Sequence, residues 1–151
     1  MVFEDPRCLR CYRCCVATEM ILLPSDIERI ERLGIARESF CYVDESGFYR
    51  LRNARGRCVF LREDGRCAIY SHRPLGCVLY PLVFDELEGP RIDDECPLAR
   101  EFERRCVELE LGIELLRRFL RELEEFYGYR VDWRVFEEGA RNLLSRCLAT
   151  S

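Results

Sequence analysis

The chain has 151 residues, 11 of them cysteine, and a formal net charge of −4 from 24 basic and 28 acidic side chains. This length is typical of one domain that buries about two-thirds of its unfolded surface, so its core needs no disulfides to fold. The acidic balance, without any basic run, argues against nucleic acid as the main partner. No segment approaches the roughly 20 apolar residues of a membrane span.

The first six residues, MVFEDP, lack the apolar run of a secretory signal. We therefore expect a cytoplasmic protein, where thiols stay reduced and clustered cysteines bind metal more often than they cross-link. Charged residues make up 34% of the chain, and every basic residue is arginine. This composition resembles that of thermophile proteins, in which intracellular disulfides are common, so disulfides stay open as an alternative.

The N-terminal elements are predicted to be short. Residues 8–15 form the dense run CLRCYRCC. After Pro24, a helix capped by Ser25 or Asp26 is expected to continue through Leu33 and to stop at Gly34.

From Phe48 to Leu87 the pattern is β-like and rich in turns. The segment 48–51 alternates in polarity, the segments 58–61 and 67–70 are short apolar runs, and Asp64-Gly65 between them is a hairpin turn signal. The following segment, residues 71–77, is predicted to be a turn or the start of a short helix.

The C-terminal third is predicted to be a helical hairpin. Apolar residues are spaced alternately by four and three positions from Phe102 to Tyr127, a helical seam that Gly128 can end. A second helix is expected from Asp132, as its cap, to about Cys147. The seam favours core packing, and a dimerising coiled coil or a protein partner on these helices is the alternative. We expect one α+β domain over residues 1–151, with a metal-centred part (1–97) containing short β-hairpins and the helical hairpin (98–151).

Eight cysteines are candidate metal ligands. On one straight helix, Cys8, Cys11 and Cys15 would share a stripe with Cys14 on its flank, and disulfide pairing explains this spacing poorly. Four more cysteines stand at predicted strand edges or turns beside Arg, Pro or Gly, where thiolates can point outward. The full set is Cys8, Cys11, Cys14, Cys15, Cys58, Cys67, Cys77 and Cys96.

Together these motifs resemble the CxxCxxCC family, the YkgJ-type cysteine-cluster proteins described as zinc- or iron-chelating. The resemblance rests on the run of residues 8–15, on CVFL (58–61) and CAIY (67–70), and on Arg73-Pro74, Cys77 and Tyr80-Pro81; it covers about residues 6–98. It implies metal binding by cysteines that match the eight candidates. A family relative, the flagellin lysine-N-methylase, is much longer than this chain.

Thiolate ligands select zinc or iron–sulfur clusters, and spacing alone does not separate the two. Structural zinc usually uses two well-separated CxxC pairs, so the compressed run favours an iron–sulfur cluster such as 4Fe-4S, in one or two centres. The main hypothesis is thus a metal protein with a redox or electron-transfer role. The alternatives are a zinc-stabilised, non-catalytic interaction module and a component resembling a protein-lysine methyltransferase.

The remaining candidates are expected to be structural. Cys41, Cys106 and Cys147 lie outside the motif, and we expect them to pack as small apolar side chains. His72 is expected to be a hydrogen-bonded turn residue, and the acidic segment 93–95 a solvated turn. No catalytic residue is predicted, because no phosphate loop, Ser/His/Asp arrangement or dinucleotide fingerprint is present.

Overall fold

A computed structural model describes residues 2–150. These residues form helices and small antiparallel strand pairs, which confirms the predicted α+β class. Their contacts divide the chain into two compact units, Glu4–Val78 and the described residues 2–3 with 79–150. The prediction of a single domain concerns the chain as a whole and stays a prediction.

The unit Glu4–Val78 consists of short elements. Its helices are α1 (Cys8–Cys11), α2 (Pro24–Glu31), α3 (Arg37–Phe40) and α4 (Leu75–Leu79, whose last residue lies beyond the unit), with 3₁₀ turns at Arg13–Cys15 and Tyr70–His72. Its strands are β1 (Cys41–Val43), β2 (Tyr49–Leu51), β3 (Asn53–Ala54) and β4 (Arg57–Cys58), paired β1–β2 and β3–β4. In the first pair Cys41 lies opposite Leu51 and Val43 opposite Tyr49.

The core of this unit brings the apolar side of α2 onto the two strand pairs. Ile27 and Ile30, three positions apart on α2, are buried beside Phe40 and Leu51. The predicted cap of α2 is wrong: Leu23 occupies the N-cap, and the Asp26 carboxylate accepts the Leu23 backbone N–H at 2.9 Å. Pro24 fits the first turn because that position needs no intrahelical donor.

The second unit consists of a β-hairpin and three helices. The hairpin is β5 (Leu82–Asp85) and β6 (Gly89–Ile92), and the helices are α5 (Ala99–Phe102), α6 (Cys106–Tyr127) and α7 (Trp133–Thr150). The hairpin extends past Leu87, where the β-like pattern was expected to end. The predicted helical hairpin is confirmed: Gly128 ends α6 in a left-handed conformation, and Asp132 Oδ1 accepts the backbone N–H of Arg134 at 3.1 Å.

The apolar seam of α6 lies inside this unit. Its central side chains are at most 4% exposed, namely Leu109, Ile113, Leu116, Leu120 and Leu123. Gly112 lies on the same side, where an added Cβ would come within 3.0 Å of Phe3 and Leu82. The seam therefore serves core packing, and a glycine is needed where Phe3 approaches the helix.

Cys106 and Cys147 are paired in a disulfide, with their Cα atoms 5.8 Å apart. The bond joins the first residue of α6 to the last turns of α7. The expectation that both cysteines pack as free thiols is therefore wrong. Cys41 does pack as expected: it is 3% exposed, and burial raises the pKa of its thiol. No helix among residues 2–150 has the length and apolar character to cross a membrane.

Candidate metal centre

Seven of the eight predicted ligands lie in the unit Glu4–Val78, and Cys96 lies in the second unit. Cys96 follows a turn in which its backbone N–H donates to the Asp93 carbonyl at 3.2 Å. The expected turn is present, and the Asp93 carboxylate stabilises it by accepting the Tyr80 hydroxyl at 2.9 Å and the Glu95 N–H at 3.1 Å.

The run of residues 8–15 is not one straight helix. Tyr12 has a φ of 41° in the left-handed region, which ends α1 and starts the 3₁₀ turn of residues 13–15. The predicted single stripe of Cys8, Cys11 and Cys15 is therefore wrong. Because the helix is interrupted at Tyr12, Cys14 and Cys15 do not continue the helical positions of Cys8 and Cys11.

Tyr12 also attaches this run to the turn between Cys58 and Cys67. An added Cβ at Gly65 would lie 3.1 Å from the Tyr12 ring, and the Arg57 guanidinium lies 5.7 Å from the centre of that ring. The predicted turn is confirmed, since the Arg66 carbonyl accepts the Arg62 N–H at 2.8 Å and Gly65 has a φ of 85°. It is closed by a single bridge between Leu61 and Cys67 and not by a regular hairpin.

Cys77 is held on α4 by a buried carboxylate from α2. Asp26 is 1% exposed, and its Oδ1 accepts the Leu75 N–H at 3.0 Å and an Arg29 N–H at 2.9 Å. Arg29 also donates to the Arg73 carbonyl at 2.8 Å. The segment before Cys77 is thus fixed at two backbone positions. From the sequence, Asp26 was expected only to cap α2. Its bond to the Leu75 N–H was missed because the two residues lie 49 positions apart.

Five thiols in this unit influence one another electrostatically: Cys14, Cys15, Cys58, Cys67 and Cys77.

Within this five-thiol cluster, a hydrogen bond from the Cys15 thiol, assisted by the nearby Arg73 guanidinium, lowers the pKa of Cys14 to about 7. The same hydrogen bond and burial raise the pKa of Cys15. Burial is the main cause that raises the pKa values of Cys58, Cys67 and Cys77. The thiolate form of Cys14 is therefore stabilised, and its negative charge disfavours ionisation of the other four thiols in the cluster.

This donor set fits a soft metal. Bound zinc or iron would offset the repulsion between thiolates, and thiolate sulfur is the ligand that both zinc and iron–sulfur clusters prefer. In residues 2–150 no three or more His, Cys, Asp or Glu side chains are already arranged to hold a metal ion. Metal binding thus requires neighbouring thiols to turn towards a common point.

The other polar candidate near the cluster is His72. Its Nδ1 lies 3.1 Å from the Ser71 hydroxyl, and its backbone N–H donates to the Ile69 carbonyl at 2.7 Å. These bonds agree with the expected role as a hydrogen-bonded turn residue. Arg73, which follows, stacks 4.0 Å from the centre of the Tyr70 ring.

Comparison with known proteins agrees with this donor chemistry. No curated protein and no solved structure matches the chain. One family profile, CxxCxxCC, described as "Putative zinc- or iron-chelating domain", matches residues 7–106. The matched segment includes all eight predicted ligands and extends past the expected end at residue 98 to Cys106. Because it spans more than half of the sequence, the chain belongs to the CxxCxxCC family.

Proposed function

We propose that the five-thiol cluster binds an iron–sulfur cluster and that the protein has a redox or electron-transfer role. The observation that carries this proposal is the match of residues 7–106, which contain all eight predicted cysteine ligands, to the CxxCxxCC family. When bound, an iron–sulfur cluster supplies a one-electron redox centre.

The compressed spacing of the first cysteines favours iron–sulfur over zinc. A structural zinc ion usually takes its four ligands from two well-separated CxxC pairs, whereas Cys8, Cys11, Cys14 and Cys15 lie within one short run of the sequence. One cluster or one zinc ion takes four thiolates, so the eight predicted ligands leave thiols for a second centre. Cys96 remains a proposed ligand from the second unit.

Arg73 supports a negatively charged centre. Its guanidinium helps to lower the pKa of Cys14 and partly offsets the effect of burial, which raises the pKa of Cys67; the cation itself lies over the Tyr70 ring. A fixed cation beside thiolates offsets their charge and raises the reduction potential of a bound cluster.

The test is the metal and acid-labile sulfide content of anaerobically purified protein, together with its visible and EPR spectra. We expect a brown protein that contains iron and sulfide in equal amounts. A colourless protein that holds stoichiometric zinc would overturn the iron–sulfur assignment.

Matched variants test the ligand set. We expect Cys67→Ala to lose most of its iron and sulfide, whereas Cys41→Ala, which removes a buried thiol outside the motif, retains both. Circular dichroism of both variants separates lost ligation from lost folding. Equal metal content in both variants would contradict a role for Cys67 as a ligand.

The electron-transfer role has a separate test. A reversible midpoint potential in a spectroelectrochemical titration is expected, and Arg73→Gln should lower it because a cation near the centre is lost. A cluster that cannot be reduced and reoxidised without loss of iron would contradict an electron-transfer role while leaving metal binding intact.

A further inference from the structure

A cavity of about 470 Å³ lies in the second unit between α5 and the end of α7. This volume falls in the range of small-molecule binding sites. Three exposed arginines line it: Arg100 on α5, Arg104 just after that helix, and Arg146 on α7. None of the residues that line it is a proposed metal ligand.

The three guanidinium groups have no hydrogen bond or ion pair from their side chains within residues 2–150. This differs from Arg117 on α6, which pairs with Glu114 and Glu137. Glu103 is the one carboxylate in the lining described, so the side chains around the cavity carry a net charge of +2. Like charges that face one cavity without partners repel one another, and an anion relieves this repulsion.

The inner wall of the cavity is apolar. Leu143 and Cys147 line it and are 4% and 2% exposed, respectively. Because Cys147 is bound to Cys106, the disulfide fixes this wall to the start of α6. Because Leu143 and Cys147 are almost fully buried, little of this wall is accessible, and ligand binding depends mainly on the three arginines.

From these observations we propose that the cavity binds a small organic anion, with a phosphate or carboxylate group held by Arg100, Arg104 and Arg146. Guanidinium groups pair with both anions through two parallel hydrogen bonds.

Binding of three probes by isothermal titration calorimetry tests this proposal on the full chain. Phenyl phosphate and benzoate distinguish phosphate from carboxylate recognition, and neutral phenol reports binding of the ring without a negative charge. We expect at least one of the two anions to bind in the millimolar range or tighter, phenol to bind at least tenfold more weakly, and higher salt to weaken anion binding.

The variant Arg100→Gln/Arg104→Gln is the principal test, because Arg146 also lines a second cavity of about 320 Å³. We expect it to weaken anion binding by about tenfold or more. The matched control is Arg141→Gln, an exposed arginine on α7 that lines neither cavity and should bind as the unmodified chain does. Circular dichroism and an intact disulfide confirm the fold of each variant.

The proposal is overturned if neither anion binds at about 10 mM, or if phenol binds as tightly as both anions. Equal loss in the Arg141→Gln control and the double variant would also overturn it, because the effect would then reflect overall charge. None of these outcomes depends on the metal content of the protein.

Discussion

Replacing Asp26 by Asn tests whether one buried carboxylate holds the segment that leads to Cys77. Asp26 Oδ2 accepts the Leu23 N–H at 2.9 Å, and Oδ1 accepts N–H groups of Arg29 and Leu75 at 2.9 and 3.0 Å. The side chain of Asn has the same shape but replaces one oxygen with a donor. Whichever way the amide turns, at least one of these N–H groups then faces another donor.

The expected loss follows from these contacts. A buried backbone N–H without an acceptor costs about 1–3 kcal/mol, and the bonds that remain lose the strength of a charged acceptor. The Arg29 side chain is 37% exposed, so water replaces part of its interaction and the ion pair adds little. We expect Asp26→Asn to lower the free energy of unfolding by about 2–4 kcal/mol, out of a typical total of about 5–15 kcal/mol.

The assay is urea unfolding followed by far-ultraviolet circular dichroism, on samples with matched metal content. Hydrogen–deuterium exchange localises the effect, because faster exchange is expected in α2 and in residues 73–77. The control is Glu28→Gln, an exposed change on the same helix, which should alter stability by less than about 0.5 kcal/mol. A loss below about 1 kcal/mol for Asp26→Asn, or unchanged exchange in residues 73–77, would refute the reasoning.

Three further predictions concern other contacts. Replacing both Cys106 and Cys147 by Ser removes a cross-link between residues 41 positions apart, and we expect a loss of about 2–4 kcal/mol in urea unfolding followed by tryptophan fluorescence. Gly139→Ala should destabilise the chain by about 2 kcal/mol in the same assay, since its Cβ would meet the Glu88 carbonyl and lie 2.9 Å from the Gly89 Cα. In metal-free protein, alkylation of Cys14 by iodoacetamide should reach half its maximal rate near pH 7, since its pKa is about 7 and only the thiolate reacts.

Each of these has its own control. The control for Gly139→Ala is Ser145→Ala, an exposed change on α7 that should leave the free energy of unfolding unchanged or slightly raised. An equal loss in both variants would show that the close contacts at Gly139 do not cause the effect. If reducing agent leaves the unfolding curve of the unmodified chain unchanged, the disulfide does not stabilise the fold. For alkylation, Cys77 provides the contrast, because burial raises its pKa and its labelling should require higher pH or unfolding.

The C-terminal helices could be predicted because their signals are local. The four-three spacing of apolar residues, the glycine at position 128 and the capping Asp132 each act within a few residues, and the structure confirms all three. The turn at Asp64-Gly65 is local in the same way. Such signals need no knowledge of distant parts of the chain.

The candidate metal centre depends on contacts that are distant in sequence. The Asp26–Leu75 bond joins residues 49 positions apart, and no local pattern indicates it. The left-handed Tyr12 was missed because a run of closely spaced cysteines fits a regular helix equally well. The disulfide was missed for a related reason: a cysteine on an apolar helix face can pack or pair, and only the approach of the two helices decides between them.

The contacts of Phe3 couple the compactness of one unit to the conformational entropy of the chain. Its backbone N–H donates to the Glu108 carboxylate at 2.7 Å, across a separation of 105 residues, and its ring lies 5.5 Å from that of Phe102. Residues 3 and 79 belong to the same unit, so the intervening segment Glu4–Val78 forms a loop whose two ends are held by that unit. Closing a compact segment costs less entropy than closing a flexible one. Whatever keeps residues 4–78 compact therefore also lowers the entropic cost of keeping Phe3 in contact with Phe102 and Glu108.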